Sequence, residues 1–433
     1  MILKIELFLG TNLIIQLIIN LIINVMKKII LITCLFCVSF ILANITSVKG
    51  QNWSGWRGNN RNGTVTGFIT PTQWPAQLNK LWQVTVGEAD ASPVMSNGHI
   101  YLHVKLDSME VAICIDGVKG EQEWKTVLNA SPMIKGPAVG HPGPRSTPSI
   151  SNGKLYLLGA GGIVTCLDLK TGKAIWKNEV YTTEVPQFYT GSSPLVMGGK
   201  CFVQLGGKTN GQLIVFDANT GKEVDQVMGI STTYSSPVVM TTIPNMLLVQ
   251  SEVDLFGVSI DGKLLWDIAT PVQRMFNNAA TPVFDGQNVV VTGSGSGTKL
   301  VSIAKVGEKW ETKELWTNKD LGTSFATPIV KGGYLYGNEA KNGKLYCLNM
   351  KTGEKCWSDT IAHNRFAALL DLGKQLVTLP ATGQLIFFEP SEKSYVEIAK
   401  YKVAETEVYA YPIIVGDKIY VKDKTMLTCW SLK

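Results

Sequence analysis

The sequence predicts an all-β fold, an eight-bladed β-propeller with four-stranded antiparallel blades, and three observations carry that expectation. First, a short strand opened by a Pro recurs eight times. It stands in "DASPVMSNGHIYL" (Pro93), "GPRSTPSISNGKLYLLG" (Pro148), "GSSPLVMGGKCFV" (Pro194), "YSSPVVM" (Pro237), "AATPVFDGQNVVV" (Pro282), "FATPIVKGGYLYG" (Pro328) and "YAYPIIVGDKIYV" (Pro412). A divergent copy, "FAALLDLGKQLVTL", holds Leu369 in the proline position. Second, the later halves of the units recur too, as "AICIDGVKGEQEW", "VTCLDLKTGKAIW", "LIVFDANTGKEVD", "GVSIDGKLLW" and "LYCLNMKTGEKCW". Third, the last unit stops after three strands at "TMLTCWSLK", while "NKLWQVTVG" ahead of the first unit is a strand with no sheet of its own. Pairing the two closes the ring through the strand near Trp82 and leaves no open edge between first and last blades.

One unit shows how the elements follow. Between Gly143 and Trp176 the chain reads as an apolar strand (148–150), an Asn152-Gly153 turn, a strand (155–158) and a Gly-rich turn. A third strand (163–167), a Thr-Gly turn and a strand ending in Trp176 complete it. Such a small sheet cannot bury both its faces alone, so a repeat of roughly 40 to 50 residues with four strands each implies blades packed around an axis.

Three segments are expected: an N-terminal apolar segment (1–50), an arm (51–78) and the propeller (79–433). In the first, Met26-Lys27-Lys28, the apolar run from Ile29 to Ala43, and Val48 with Gly50 read as a signal peptide cut before Gln51. The preceding "MILKIELFLGTNLIIQLIINLIIN" is either upstream of the true start at Met26, the preferred reading, or a membrane helix that could attach the protein through residues 1–43. The mature chain is thus expected to be exported, periplasmic or secreted. The arm, "NWSGWRGNNRNGTVTGFITPTQWPAQ", carries Trp53, Trp56 and Trp74 and should lie across the ring, since three solvated Trp would be costly. The formal charge of +6 falls to +3 once Lys4, Lys27, Lys28, Lys49 and Glu6 are removed, which gives no case for a nucleic-acid partner.

Cys114, Cys166, Cys347 and Cys429 occupy one repeat position, on the third strand, with Val215, Ser259, Ser302 and Phe387 as counterparts in the other blades. Rotation about the ring separates such positions, so buried free thiols are expected rather than disulfides. His99 and His103 have the spacing of a helical zinc pair, but on a strand four residues span roughly 13 Å and no chelate follows. "VVVTGSGSGT" lacks the spacing of a phosphate loop and reads as a hairpin turn. No metal or catalytic set stands out. Trp82, Trp124, Trp176, Trp266, Trp316 and Trp357 fall on fourth strands and suit a repeated docking contact between blades, next to a Gly that admits close approach.

The positions three before the anchor should ring one mouth of the channel: Asp90, Arg145, Gly191, Tyr234, Ala279, Phe325, Phe366 and Tyr409, with Tyr189, Asn278 and Arg365 within two residues. Aromatic faces and Arg forks suit a planar acidic ligand, a sugar or an extended segment of a protein partner; the plain alternative is that they pack the rim.

"CLDLKTGKAIW" and "CLNMKTGEKCW" resemble the tryptophan-docking repeat of pyrroloquinoline-quinone-type propellers, and "GWRGNNRNG" is similar to the Trp-Arg-Gly-x-x-x-x-Gly opening of bacterial PQQ-binding-like β-propeller repeat proteins. That resemblance spans the mature chain. It implies the propeller fold, and it covers both quinoprotein dehydrogenases and the propeller lipoprotein of the outer-membrane β-barrel assembly machinery. The dehydrogenases carry a vicinal Cys-Cys pair stacked on the quinone and a calcium site of Asn, Glu and Asp, neither of which can be matched here. The first expectation is therefore a binding or scaffold propeller, monomeric and with no assigned cofactor. The alternative is a PQQ-dependent, calcium-assisted alcohol dehydrogenase.

Overall fold

Each repeat folds into one four-stranded antiparallel sheet, and eight such sheets form the ring. This computed structural model describes residues 52–271 and 278–433, with Met26. The signal-peptide and membrane-attachment readings fall outside those residues. Among the described residues no helix is long and apolar enough to cross a membrane. Blade 1 comprises Val94–Ser96, His99–Leu106, Met109–Asp116 and Gln122–Ala130. Blades 2 to 7 occupy 149–178, 195–228, 238–269, 283–318, 329–358 and 367–402. Blade 8 takes Ile413–Val415, Lys418–Lys422 and Met426–Ser431, and Asn79–Thr85 pairs antiparallel with its third strand, Trp82 opposite Cys429. The ring is closed as the orphan N-terminal strand requires.

The cores lie between blades. Leu155 and Leu157 of blade 2 pack with Val94 and Ala112 of blade 1, and Phe216 and Val203 of blade 3 pack with Tyr156 and Leu158 of blade 2. Within four blades the interior face repeats a three-strand row: Tyr101–Cys114–Trp124, Tyr156–Cys166–Trp176, Tyr336–Cys347–Trp357 and Tyr420–Cys429–Trp82 are directly paired. The small thiol lets the flanking rings meet with centroids 5.9–6.3 Å apart. All six described cysteines are free. The counterparts in blades 4 and 5 are corrected from Ser259 and Ser302 to Gly257 and Leu300, which face Trp266 and Trp316. Hairpins of unequal length between the third and fourth strands shift the count along the chain.

The Ser or Thr that precedes the anchor proline in blades 1 to 6 links the blades. The backbone N–H at this position donates to the hydroxyl of the next blade, from Ser92 to Thr147, Thr147 to Ser193, Ser193 to Ser236, Ser236 to Thr281 and Thr281 to Thr327, and Tyr411 donates to Ser92, all at 2.8–3.3 Å. The series lapses at blade 7, where Ala368 has no hydroxyl. Proline suits the next residue because the innermost strand is a sheet edge that needs no donor there.

That edge leaves carbonyls facing the axis, and the arm satisfies several of them. The arm touches every blade. Trp53 bridges Met95, Ser54 accepts from Ile150 N, Trp56 Nε1 donates to Thr281 Oγ1, and Val65 and Ile69 donate to the carbonyls of Asp371 and Gly416. Arg61 donates to Ser149 Oγ (2.9 Å), Pro237 O (2.9 Å), Ser193 O (3.3 Å) and Pro194 O, joining blades 2, 3 and 4. Arg57 donates to Pro328 O of blade 6 at 3.0 Å. Both guanidinium groups are buried, and burial pulls the Arg61 pKa down to about 9. The Trp-Arg-Gly-x-x-x-x-Gly opening is thus a plug. Gly63, at φ +78°, is required because a Cβ there would lie 2.7 Å from Arg57 Nη2. The arm meets the first strands along their length, from Asp371 and Gly416 at the turn end to Ser193, Pro194, Pro237, Thr281 and Pro328 just ahead of the strands, which the side chains of Arg61, Trp56 and Arg57 reach.

Candidate binding site at the channel mouth

The loops entering the first strands bring most of the expected residues together. On the side of blades 6 to 8, Phe325 and Phe366 stack with centroids 4.0 Å apart and 13° between planes. Arg365 lies across both, its guanidinium carbon 5.6 and 5.4 Å from the two ring centres. Tyr409 meets Phe366 edge-on at 5.2 Å, and His141 meets Tyr409 at 4.8 Å. Asp90 Oδ2 is 2.9 Å from His141 Nδ1, and this hydrogen bond, against the cost of burial, holds the imidazole pKa above its usual value.

On the side of blades 2 to 4, Arg145 lies over the Tyr189 ring at 5.9 Å. Its Nη2 donates to His141 O (2.6 Å) and Ala138 O (3.5 Å), pinning the loop that carries the short 3-10 turn Gly136–Ala138. Burial lowers its pKa, with Asp90, Tyr234 and Tyr189 opposing. Tyr234 accepts from Phe188 N at 3.0 Å, and burial pushes its pKa up to about 12. Gly191 leaves room beside it: a Cβ there would touch Tyr234 at 3.3 Å.

Asn278 does not share this rim. It is buried, and its amide donates to Glu252 O, Ser251 O and Thr270, which ties the loops between blades 4 and 5. Arg145 is likewise largely committed to the loop below it, whereas Arg365 is exposed. One level deeper, two residues before the anchor, Ser146, Ser192 and Ser235 are buried with hydroxyls that have no protein partner. The other blades place Ala91, Ala280, Ala326, Ala367 and Ala410 there. The rim is therefore aromatic over blades 6 to 8, and the buried layer beneath it carries hydroxyls only over blades 2 to 4. Sequence reading missed this hydroxyl arc, although Ser against Ala at one repeat position was its signal. It also missed Lys422, whose buried ammonium donates to Ala89 O (2.8 Å), Asp423 O (2.8 Å) and Lys424 O (3.3 Å) beneath Asp90.

The predicted docking tryptophans follow a common geometry. Trp82, Trp124, Trp176 and Trp316 each cover a glycine in the turn of the following blade: a Cβ on Gly120, Gly172, Gly221 or Gly353 would lie 2.5–2.7 Å from the indole. Trp357 reaches the next blade through Nε1, donating to Ser391 O at 2.7 Å. Trp266 differs. It covers Gly257 of its own blade and donates to Met246 Sδ, because blade 5 continues as a long hairpin and offers no Gly turn.

A quinone with calcium does not fit the groups present. The described cysteines lie within the blades and not at the mouth, and the mouth carboxylate Asp90 is paired with His141. No step through that cofactor is derived.

A ring of eight such blades with a plugged channel is a propeller of the quinoprotein-like class. A family profile described as "Outer membrane protein assembly factor BamB" matches residues 75–228 and 138–359, more than half of the chain, and the protein belongs to that family. The assembly factor BamB of Moranella endobia is 21% identical over 254 residues, 54% of this chain and 64% of that protein. The quinohemoprotein alcohol dehydrogenase ADH IIB of Pseudomonas putida is 28% identical over 136 residues, only 31% of this chain and 19% of the enzyme. The chain thus spans less than two thirds of these two relatives. The crystal structure of BamB from Moraxella catarrhalis superposes with a TM-score of 0.61 at 15% identity, covering 82% of this chain and 98% of that one, which shows the fold.

Proposed function

We propose that the protein is an exported, non-catalytic scaffold of the outer-membrane assembly-factor kind, whose channel mouth holds an extended segment of a partner protein. The observation that carries this reading is the exposed Arg365 laid over the Phe325–Phe366 stack. A cation laid over aromatic faces on a rigid ring suits a segment with acidic and aromatic side chains. Membership of the BamB family supports the scaffold role.

The test is selection of a displayed random peptide library on immobilised protein, followed by titration of the selected peptides against Arg365→Ala and Phe325→Ser. Acidic and aromatic residues should be enriched. Loss of a charge-assisted bond worth about 1.5–3 kcal/mol should weaken binding roughly tenfold or more in Arg365→Ala. Peptides that bind that variant as tightly as the wild type, or that carry no acidic residues, would place the binding surface elsewhere.

A further inference from the structure

The outer half of blade 1 departs from its sister blades in a way that packing does not require. Where the third strand carries Cys in the Tyr–Cys–Trp row, two more positions face the thiol: the residue that opens the second strand and the bulged residue just before the Trp. In blades 2 and 8 these are Lys154 with Ile175, and Lys418 with Leu81. In blade 1 they are His99 and Glu123.

The bulge between Cys114 and Ile115 aims Glu123 at the interior, where Oε2 accepts from Cys114 Sγ at 3.2 Å and lies 2.8 Å from His99 Nδ1. That nitrogen is buried yet makes no aligned hydrogen bond. One donor atom from each of His99, Cys114 and Glu123 lies within 4.8 Å of the others. Tetrahedral zinc at about 2.0–2.3 Å from its ligands separates donors by roughly 3.3–3.7 Å, so side-chain shifts of up to about 1.5 Å suffice. His103, four residues along the strand, takes no part, since it faces the buried Glu110 instead.

We propose that His99, Cys114 and Glu123 form a binding site for a zinc-class divalent cation, with solvent as fourth ligand. Imidazole, thiolate and carboxylate are the ligand types zinc selects, and the site is open because His99 and Glu123 are each more than a third exposed. Binding displaces the Cys114 thiol proton to solvent. Tyr101, paired with Cys114 across the strands, then stands beside the bound sulfur.

The test loads full-length protein with Co²⁺ and records the thiolate-to-cobalt charge-transfer band and the tetrahedral d–d bands, then displaces cobalt with Zn²⁺ against a chromophoric chelator. Wild type should take up one equivalent with the thiolate band. Cys166→Ser, the same repeat position without His or Glu partners, should keep it, and Cys114→Ser should lose it. His99→Gln and Glu123→Gln alter partly exposed groups and keep the fold testable if Cys114→Ser does not fold; each should weaken cobalt at least tenfold. A wild type with no thiolate band, a band that survives in Cys114→Ser, or unchanged affinity in both glutamine variants would overturn the proposal.

Discussion

Replacing Arg61 by Ala tests the plug directly. The guanidinium supplies charged donors to four oxygens on three blades, three of them at 2.9 Å or closer. Charge-assisted bonds contribute about 1.5–3 kcal/mol each, so the gross loss from the three shorter bonds is roughly 5–9 kcal/mol. Against this stands the cost of holding the charge in a dry site. The pKa, drawn from 12.5 to about 9, corresponds to an offset on the order of 4–5 kcal/mol at about 1.4 kcal/mol per unit. The carbonyls left behind are then unpaired, which costs about 1–3 kcal/mol more. The net expectation is a destabilisation of about 3–5 kcal/mol, the range seen when a buried charged partner is removed.

Arg57 supplies the comparison. It is equally buried but makes one bond to a blade carbonyl, lies 6.0 Å from the centre of the Tyr411 ring, and its Nε and Nη1 have no aligned hydrogen-bond partner. Its removal should cost less, about 0–2 kcal/mol, because relief of burial offsets the loss. Urea unfolding of both variants, followed by tryptophan fluorescence, gives the midpoints; the slope should not change. For roughly 380 residues at about 2.1 cal/mol/K each, Arg61→Ala should lower Tm by about 4–6 °C. If Arg57→Ala costs as much as Arg61→Ala, or if Arg61→Ala stays within about 1 kcal/mol of wild type, the carbonyl-pairing argument fails.

Gly172→Ala and Gly153→Ala share a left-handed backbone in one blade, φ +68° and +70°, but only Gly172 lies under the Trp124 ring. Both should pay about 1–2 kcal/mol for the conformation, and Gly172→Ala about 1–3 kcal/mol more for the clash; equal melting temperatures would dismiss the docking contact. Burial holds Lys422 at about 8, down from 10.5. Between those values the unfolded chain binds more protons than the folded one, so this group makes stability rise with pH from about 8 to 10. Lys422→Met should flatten that slope in urea titrations, and an unchanged slope would assign it to other groups. Deleting 79–85 removes the closing strand and exposes an edge of blade 8, so soluble protein with the wild-type Tm would refute closure.

The ring was legible because its determinants sit at fixed offsets within each repeat. Pro marks an edge that needs no donor, Gly a turn of positive φ, and Trp a surface that must be covered. The candidate mouth positions rest on the same regularity, since one offset per blade defines a circle, and Phe325, Phe366 and Tyr409 of that set are in contact. Asn278 was misplaced because proximity in sequence says nothing about which way a side chain turns when unpaired carbonyls lie nearby. The plug was seen only as an ordered arm. Two Arg among Gly and Asn look like a solvated loop until the unpaired carbonyls of several distant blades are known to converge on them. His99 was weighed against His103 along the strand, and its partners Cys114 and Glu123 lie across strands, where only register and a bulge bring them together.

The arm has a temporal consequence. It leaves the ribosome first among the residues of the ring, yet its docking surface includes Gly416 and Tyr411, which are among the last to be made. Asn79–Thr85 has no strand to pair with until blade 8 exists, and the arm's set of partners is incomplete until then. A chain cut short therefore displays two apolar, unpaired segments at its leading end, Trp53 and Trp56 among them, and a finished chain hides both. The arm is among the last segments to settle, so its accessibility to a protease is a direct report of whether the remaining 355 positions, 79 to 433, have been completed.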